Sequence, residues 1–357
     1  MLDWRGLLKS SSAIGLDVGP STVKLVELSR SRQGVVTLCR LGRAPLKTGA
    51  VVDGQIEMLD EVSSVVRALV DRCGVKTRRV VMALPTKNVI LRRARFRADI
   101  AEDELALRVE NEASGFVPFP VEELSLDFSV LGPAAGNASE IEVLIAAARR
   151  DRVEDRLALA ESAGLDPLVV EVESNGCQLA LQAWLRRAGR NPGAETHALL
   201  ELGHESMSLK VFVEDEIAFE REQAWGARQL IMQVMTAFSL SEEEARLRQL
   251  RGELPAGYMA QMVPEHAERT AAEVDRMLQF FYAAVPGRRL HALLLAGGGA
   301  ALEGLPGRIA ARTGLSVSLI NPFDHMDLGP SIEARGLSEH ASSYLLACGL
   351  ALRSFEA

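Results

Sequence analysis

The chain has 357 residues, 48% hydrophobic and 25% charged, with a formal net charge of −8 at pH 7. That length and balance suit two or more compact lobes, and the acidic excess excludes broad nucleic-acid binding, which needs an electropositive footprint. Cys39, Cys73, Cys177 and Cys348 lie far apart and form no C-x-x-C pair, which indicates neither a disulfide framework nor a zinc site and fits a reducing cytoplasm.

Met1 to Lys9 mixes apolar and basic residues around Gly6 and reads either as a loosely ordered terminus or as a segment lying on a bilayer surface or a partner, without the apolar core of a signal peptide. No run in the chain approaches the roughly 20 apolar residues of a spanning helix, so membrane contact is expected through a partner. Gly15 to Leu28 reads as a strand, a tight turn and a returning strand, with Asp17 and Gly19 at the lip. An Asp at a strand end can orient a magnesium-bound water, and Gly19 with the small residues after it lets backbone N–H groups approach phosphate oxygens. The same D-x-G is also found in ordinary hairpin turns. Val35 to Leu41 continues as a strand. Leu59 to Val70 has apolar residues at three- and four-residue spacing before Gly74, the pattern of a capped amphipathic helix. Val80 to Leu84 is a strand that Pro85 ends.

Thr86 to about Leu165 reads as an inserted module. Ala94, Phe96 and Ala98 alternate with Arg93, Arg95 and Arg97, which gives a strand with one apolar and one basic face. The basic face is either solvated or a landing site for an acidic partner. A helix over Glu102 to Ser114 stops before Pro118 and Pro120, and Phe116 and Phe119 either anchor a core or shape a partner groove. Ser125 to Leu131 and Glu140 to Ala147 are two further strands, followed by a helix from a capping Asp151 to Gly164. Leu168 to Val172 returns the chain to the first lobe as a strand, and Ser174 to Arg187 is a helix.

Leu199 to Leu209 repeats the strand, acid-x-Gly, polar turn, strand pattern of the first hairpin, with Glu201 and Gly203 at its lip. Ala218 to Arg221 is a strand, and helical stretches continue through Leu250. On Thr270 to Ala284, Val274, Met277, Leu278 and Phe281 share a face, with Glu273 and Arg276 on its edge. Leu293 to Leu305 runs from an apolar strand through Gly297, Gly298 and Gly299 to a helix start, a turn in which glycine lets the main chain pass close to a flat ligand such as adenine. Ser338 to Leu352 is a small-residue, apolar helix expected to be buried against the first lobe.

Two phosphate turns and one adenosine turn in this order resemble the actin/Hsp70/sugar-kinase superfamily. Narrower strings are Leu16-Asp17-Val18-Gly19, Val51-Val52-Asp53-Gly54, Phe116-Val117-Pro118-Phe119, Ala146-Ala147-Ala148-Arg149, Ala163-Gly164-Leu165-Asp166-Pro167 and Asn321-Pro322-Phe323. Together these resemble, over nearly the whole chain, the type IV pilus assembly protein PilM family, relatives of the cell-division protein FtsA. The resemblance implies a two-lobed, actin-like α/β fold: a first lobe over 1–85 and 166–196, an FtsA-type 1C subdomain over 86–165, a second lobe over 197–337, and a C-terminal helix over 338–357 that returns to the first lobe.

It also implies a cytoplasmic, ATP-binding clamp that docks the short cytoplasmic tail of an inner-membrane PilN-like protein in a groove beside the 1C subdomain. Motor ATPases and the platform protein of the pilus machine are further implied partners, and self-association stays open. Carried over by position, Asp17 holds an Mg2+-bound water, with Glu201 as an alternative. Gly19, Ser21, Thr22 and Lys24 form the first phosphate turn, and Glu201 with Gly203 the second. Gly297, Gly298 and Gly299 back the adenosine, and Glu273 and Arg276 lie on the helix facing the nucleoside. Departures from the family pattern are Pro20 for Ser, which removes an N–H, Glu201 for Asp, which adds a methylene, the turn His204-Glu205-Ser206-Met207, and Ala227 and Ile231 for Gly and Thr.

Two other functions fit some of these residues. A working ATPase or phosphotransferase would need a group to orient a nucleophile, for which Glu171, Glu173 and Gln178 stand ahead of the second turn. An FtsA-like polymerising protein would be expected to end in a basic amphipathic helix, and Leu352 to Ala357 does not have that pattern. A type II secretion relative would be expected to carry a membrane span.

Overall fold

The computed structural model describes residues 12–355 apart from 192, 194, 256, 334–336 and 339, so Met1 to Lys9 lies outside the described residues. The first lobe opens with β1 (Ile14–Val18), β2 (Thr22–Arg30), β3 (Val36–Pro45), the two-residue strands β4 (Val51–Val52) and β5 (Gln55–Ile56), α1 (Leu59–Cys73) and β6 (Arg79–Leu84). The face of α1 bearing Val62, Val66, Leu69 and Val70 is buried, and Gly74 closes the helix at φ 62°, a left-handed conformation that costs a residue without Cβ little.

The insert follows as β7 (Val89–Arg97), α2 (Glu102–Ser114), β8 (Leu124–Ala134) and β9 (Asn137–Arg149), an antiparallel sheet in the order β7-β9-β8 with α2 packed against it. Ala94, Phe96 and Phe116 pack with Leu105 and Val109 in its core, while Phe119 is 37% exposed with the Arg149 guanidinium 5.4 Å from its ring. The arginines of β7 face outward, and Arg93 pairs with Glu216 of the second lobe. Next come α3 (Arg150–Ser162), β10 (Asp166–Val172) and α4 (Glu173–Arg187). Where the sequence suggests an insert reaching residue 165, Leu159, Ala160, Ala163 and Leu165 pack with Leu16, Val66 and Met82 in the first-lobe core. Apolar spacing alone does not say which neighbouring core receives a helix. Asp151 is not a cap either: the cap position is Arg149, whose guanidinium takes the Asp151 carboxylate at 2.8 Å.

The second lobe contains β11 (His197–Leu202), β12 (Met207–Val213), β13 (Glu216–Gln223), α5 (Ala227–Phe238), α6 (Glu242–Arg251), α7 (Val263–Ala284), β14 (Ala292–Ala296), α8 (Leu305–Thr313) and β15 (Val317–Leu319). Helix α7 begins before the expected Thr270, with a proline in its first turn, where the missing N–H has no helical partner to lose. The two lobes repeat one sheet. The order β3-β2-β1-β6-β10 in the first matches β13-β12-β11-β14-β15 in the second, and in each the first three strands are antiparallel and the last three parallel. The short β16 (Asp327–Leu328) returns from the second half to pair with β3.

The closing segment is a 3-10 turn, Ala341–Tyr344, followed by α9 (Leu345–Arg353), rather than one helix from Ser338. Leu345 to Leu352 are all buried. Helix α9 crosses α4 at a glycine pair, where a Cβ at Gly349 would overlap the Gly176 carbonyl oxygen, and a Cβ at Gly15 of β1 would overlap the Ala347 carbonyl oxygen. Backbone cannot move aside as a flexible side chain can, so Gly349→Ala should cost roughly 3 kcal/mol or more. A thermal melt of the purified variant checks this, and a midpoint unchanged from wild type contradicts the packing.

Candidate functional site

Hairpin β1–β2 of the first lobe and hairpin β11–β12 of the second both line a cavity of about 540 Å3 between the lobes, together with the turn after β14, the start of α4 and Ser342 and Ser343 before α9. In the first hairpin the register sets Asp17 opposite Lys24, and the lysine Nζ donates to Asp17 Oδ2 at 2.7 Å. In the second, Glu201 lies opposite Ser208, and Lys210 follows two residues on, on the same face of the strand. Lys210 Nζ donates to Glu201 Oε2 at 2.5 Å and to Ser208 Oγ at 2.9 Å.

The turns close in matching ways. Gly19 N–H donates to the Thr22 carbonyl at 3.2 Å, and Gly203 N–H to the Ser206 carbonyl at 2.9 Å. These two N–H groups therefore hold the turns. The start of α5 is tied to the second turn, with the Ala227 and Arg228 N–H groups donating to the Gly203 and His204 carbonyls at 3.0 and 2.8 Å.

Of the twelve residues assigned to the nucleotide from sequence, nine line the cavity: Asp17, Gly19, Ser21, Thr22, Lys24, Glu201, Gly203, Gly297 and Gly298; Pro20 lines it as well. The three glycines after β14 have different roles. Gly297 adopts φ +91°, where a Cβ would strike the Leu202 backbone, and Gly298 has open space where its Cβ would be. Gly299 is not in the lining; its N–H donates to the Leu202 carbonyl, and a Cβ there would lie 2.8 Å from Leu202 Cγ. Glu273 and Arg276 are not in the lining either. They pair with each other at 3.0 Å on α7, and Glu273 accepts from Gln223, whose side chain is the link to the cavity. Of the three candidates for orienting a nucleophile, Glu173 lines the cavity, whereas Glu171 is held by Arg353 at 2.8 Å and Gln178 donates to the Asp215 carbonyl at 2.6 Å.

Sequence reasoning missed Lys210, Glu220, Thr86, Ser342 and Ser343, all in the lining. Lys210 was accessible from strand parity once Glu201 was chosen. The two serines carry no such signal, because α9 returns them to the site from the far end of the chain, where Gly297 N–H donates to the Ser342 carbonyl at 2.9 Å.

The lining is acid-rich. Asp17, Asp53, Glu173, Glu201, Glu205, Glu220 and Glu222 face it with three lysines, Lys24, Lys87 and Lys210. A polyphosphate therefore needs its charge offset to enter. Burial, then the Asp17 and Glu201 carboxylates, push the Glu173 carboxyl up to about 7. Burial also works against the Lys210 ammonium, but Glu201, Cys177 and Glu220 outweigh it and hold its pKa above the ordinary lysine value. Burial, then Arg246, push the His204 imidazole down to about 4.

Among the described residues, no group of three or more His, Cys, Asp or Glu converges to hold a metal ion. Asp17 and Glu201 each already carry a lysine. Asp17 fits a cation held through water, but Glu201, bound to the buried Lys210, does not fit one.

The raised pKa of Glu173 sets a pH dependence. A carboxyl whose folded pKa lies above the usual 4.5 contributes stability that is present below pH 4.5 and lost as pH rises through about 7. Glu173→Gln stays neutral throughout. It should match wild type near pH 4.5 and exceed it above pH 7, by at most about 3 kcal/mol. Chemical denaturation at both pH values checks this, and an offset that does not change with pH contradicts it.

No helix among the described residues is long and apolar enough to cross a membrane. The chain matches the family described as type IV pilus assembly protein PilM over residues 15–355. It is similar to a solved structure titled PilM-PilN type IV pilus biogenesis complex, with 26% identity, 98% of this chain and 100% of that chain covered, and a TM-score of 0.80. The ethanolamine utilization protein EutJ from Carboxydothermus hydrogenoformans shares the fold at 15% identity, with 98% and 93% covered and a TM-score of 0.56. With its duplicated sheets and two-lobed actin-like fold, the chain belongs to the type IV pilus assembly protein PilM family.

Proposed function

We propose that the chain is a cytoplasmic clamp of the pilus assembly machine that binds ATP with Mg2+ between its lobes and holds the cytoplasmic tail of a PilN-like inner-membrane protein. The carrying observation is the full-length likeness to a family member whose solved structure includes PilN. On this proposal the protein sits at the inner membrane through that partner, with motor ATPases and the platform protein as further members of the assembly.

The paired hairpins support the nucleotide half. Ser21, Thr22, Lys24, Gly297, Gly298 and Asp17 all line the cavity; on this proposal the first three meet phosphate oxygens, the two glycines back the nucleoside and Asp17 reaches the cation through water. Mg2+ supplies the charge that lets a polyphosphate enter an acid-rich cavity. Turnover should be slow or absent. Glu201, the acid of the second turn, is engaged by the buried Lys210 at 2.5 Å and so is not free to orient a nucleophile. Asp17→Ala should weaken Mg2+-dependent ATP binding about tenfold, roughly 1.4 kcal/mol. Unchanged affinity in calorimetry would leave Asp17 as a turn residue only.

For the partner half, the proposed groove lies between the first lobe and the insert. A short extended tail held there should bind through a few apolar anchors and backbone hydrogen bonds, so its affinity should change little with salt. The test is to titrate the tail peptide into the whole chain and into a folded version with residues 89–148 replaced by a short linker, which spares the first-lobe residues of α3. Binding by the whole chain alone supports the proposal. Equal affinity for both removes the insert from the site, and no affinity for either overturns the clamp.

A further inference from the structure

Lys210 lines the cavity and is only 2% exposed. It stands in the interior of β12 between the buried Leu209 and Val211, where an unpaired ammonium would be strongly unfavourable. Its partners form a built arrangement: Glu201 at 2.5 Å, Ser208 at 2.9 Å and Glu220 Oε1 at 3.6 Å. The first hairpin has only the single cross-strand pair of Asp17 and Lys24. The halves that repeat each other in topology therefore differ in charge chemistry. The long Glu201 side chain, where an Asp is expected, is the one that ends on this lysine.

We propose that Lys210 takes the place of a metal at the second hairpin, its ammonium fixed between Glu201 and Glu220 so that a divalent cation has access to the cleft from the Asp17 side alone. A dication approaching Glu201 meets a like charge already in contact with the carboxylate, and the ammonium is nearly buried, with its side chain 3% exposed. Without Lys210, the Glu201 and Glu220 carboxylates, each about a fifth exposed, would lose the ammonium that both now contact. Two carboxylates freed of that ammonium attract a hard dication. The inference deepens the nucleotide proposal for the cleft and takes its significance from it, but its test uses no nucleotide.

The experiment is a titration of ligand-free full chain with Mn2+, following free Mn2+ by electron paramagnetic resonance. Wild type, Glu201→Gln, Lys210→Met and the double variant are compared, with circular dichroism as the check on folding. Wild type and Glu201→Gln should bind Mn2+ equally weakly. Lys210→Met should gain one site roughly tenfold or more tighter than any in wild type, and the double variant should lose it. A wild-type site that Glu201→Gln abolishes overturns the inference, as does a folded Lys210→Met that gains nothing. If Lys210→Met does not fold, the comparison of wild type with Glu201→Gln still decides. Failure of wild type to bind ATP in any buffer would remove the nucleotide proposal and leave the Mn2+ result standing.

Discussion

Helix α9 meets α4 with Gly349 against the Gly176 carbonyl, and it meets β1 with the Ala347 carbonyl against Gly15, so close that no side-chain atom fits at either contact. Each of these elements carries part of the cavity. Asp17 stands two residues after Gly15, Glu173 opens α4 three residues before Gly176, and Ser342 and Ser343 precede α9. A separation larger by one methyl group would move the cavity floor away from both hairpins. Packing deep in the fold thus sets the geometry of the site, with close-packed interiors transmitting small changes in volume as displacements.

The duplicated sheets give the molecule two hairpins of one design, and the residues at their tips make them unequal. The first has a short acid paired at 2.7 Å with a lysine whose side chain is 17% exposed. The second has a longer acid held by a buried lysine, with a second carboxylate behind it.

Much of this was legible in the sequence because each half is written in local signals. The hairpins show as strand, acid-x-Gly and strand, α1 ends at a glycine where its apolar spacing stops, and β7 alternates Ala94 and Phe96 with arginines. The remainder depends on where the chain returns, which spacing does not encode. Helix α3 has the spacing of any amphipathic helix, and only its contacts with Val66 and Met82 assign it to the first lobe. Gly299 looks like part of a ligand turn but packs on Leu202. Glu273 and Arg276 look like ligand contacts, yet they form a helix-edge pair reaching the cavity only through Gln223. Ser342 and Ser343 have no motif and are recruited by the burial of α9.

A single ligand held jointly by both lobes has a direct signature in amide hydrogen exchange of the full chain with and without Mg2+ and ATP. Slower exchange should appear together at residues 17–24, 201–210 and 297–299. Protection confined to one lobe, or ligand bound with no protection at either hairpin, would contradict the two-sided cleft described here.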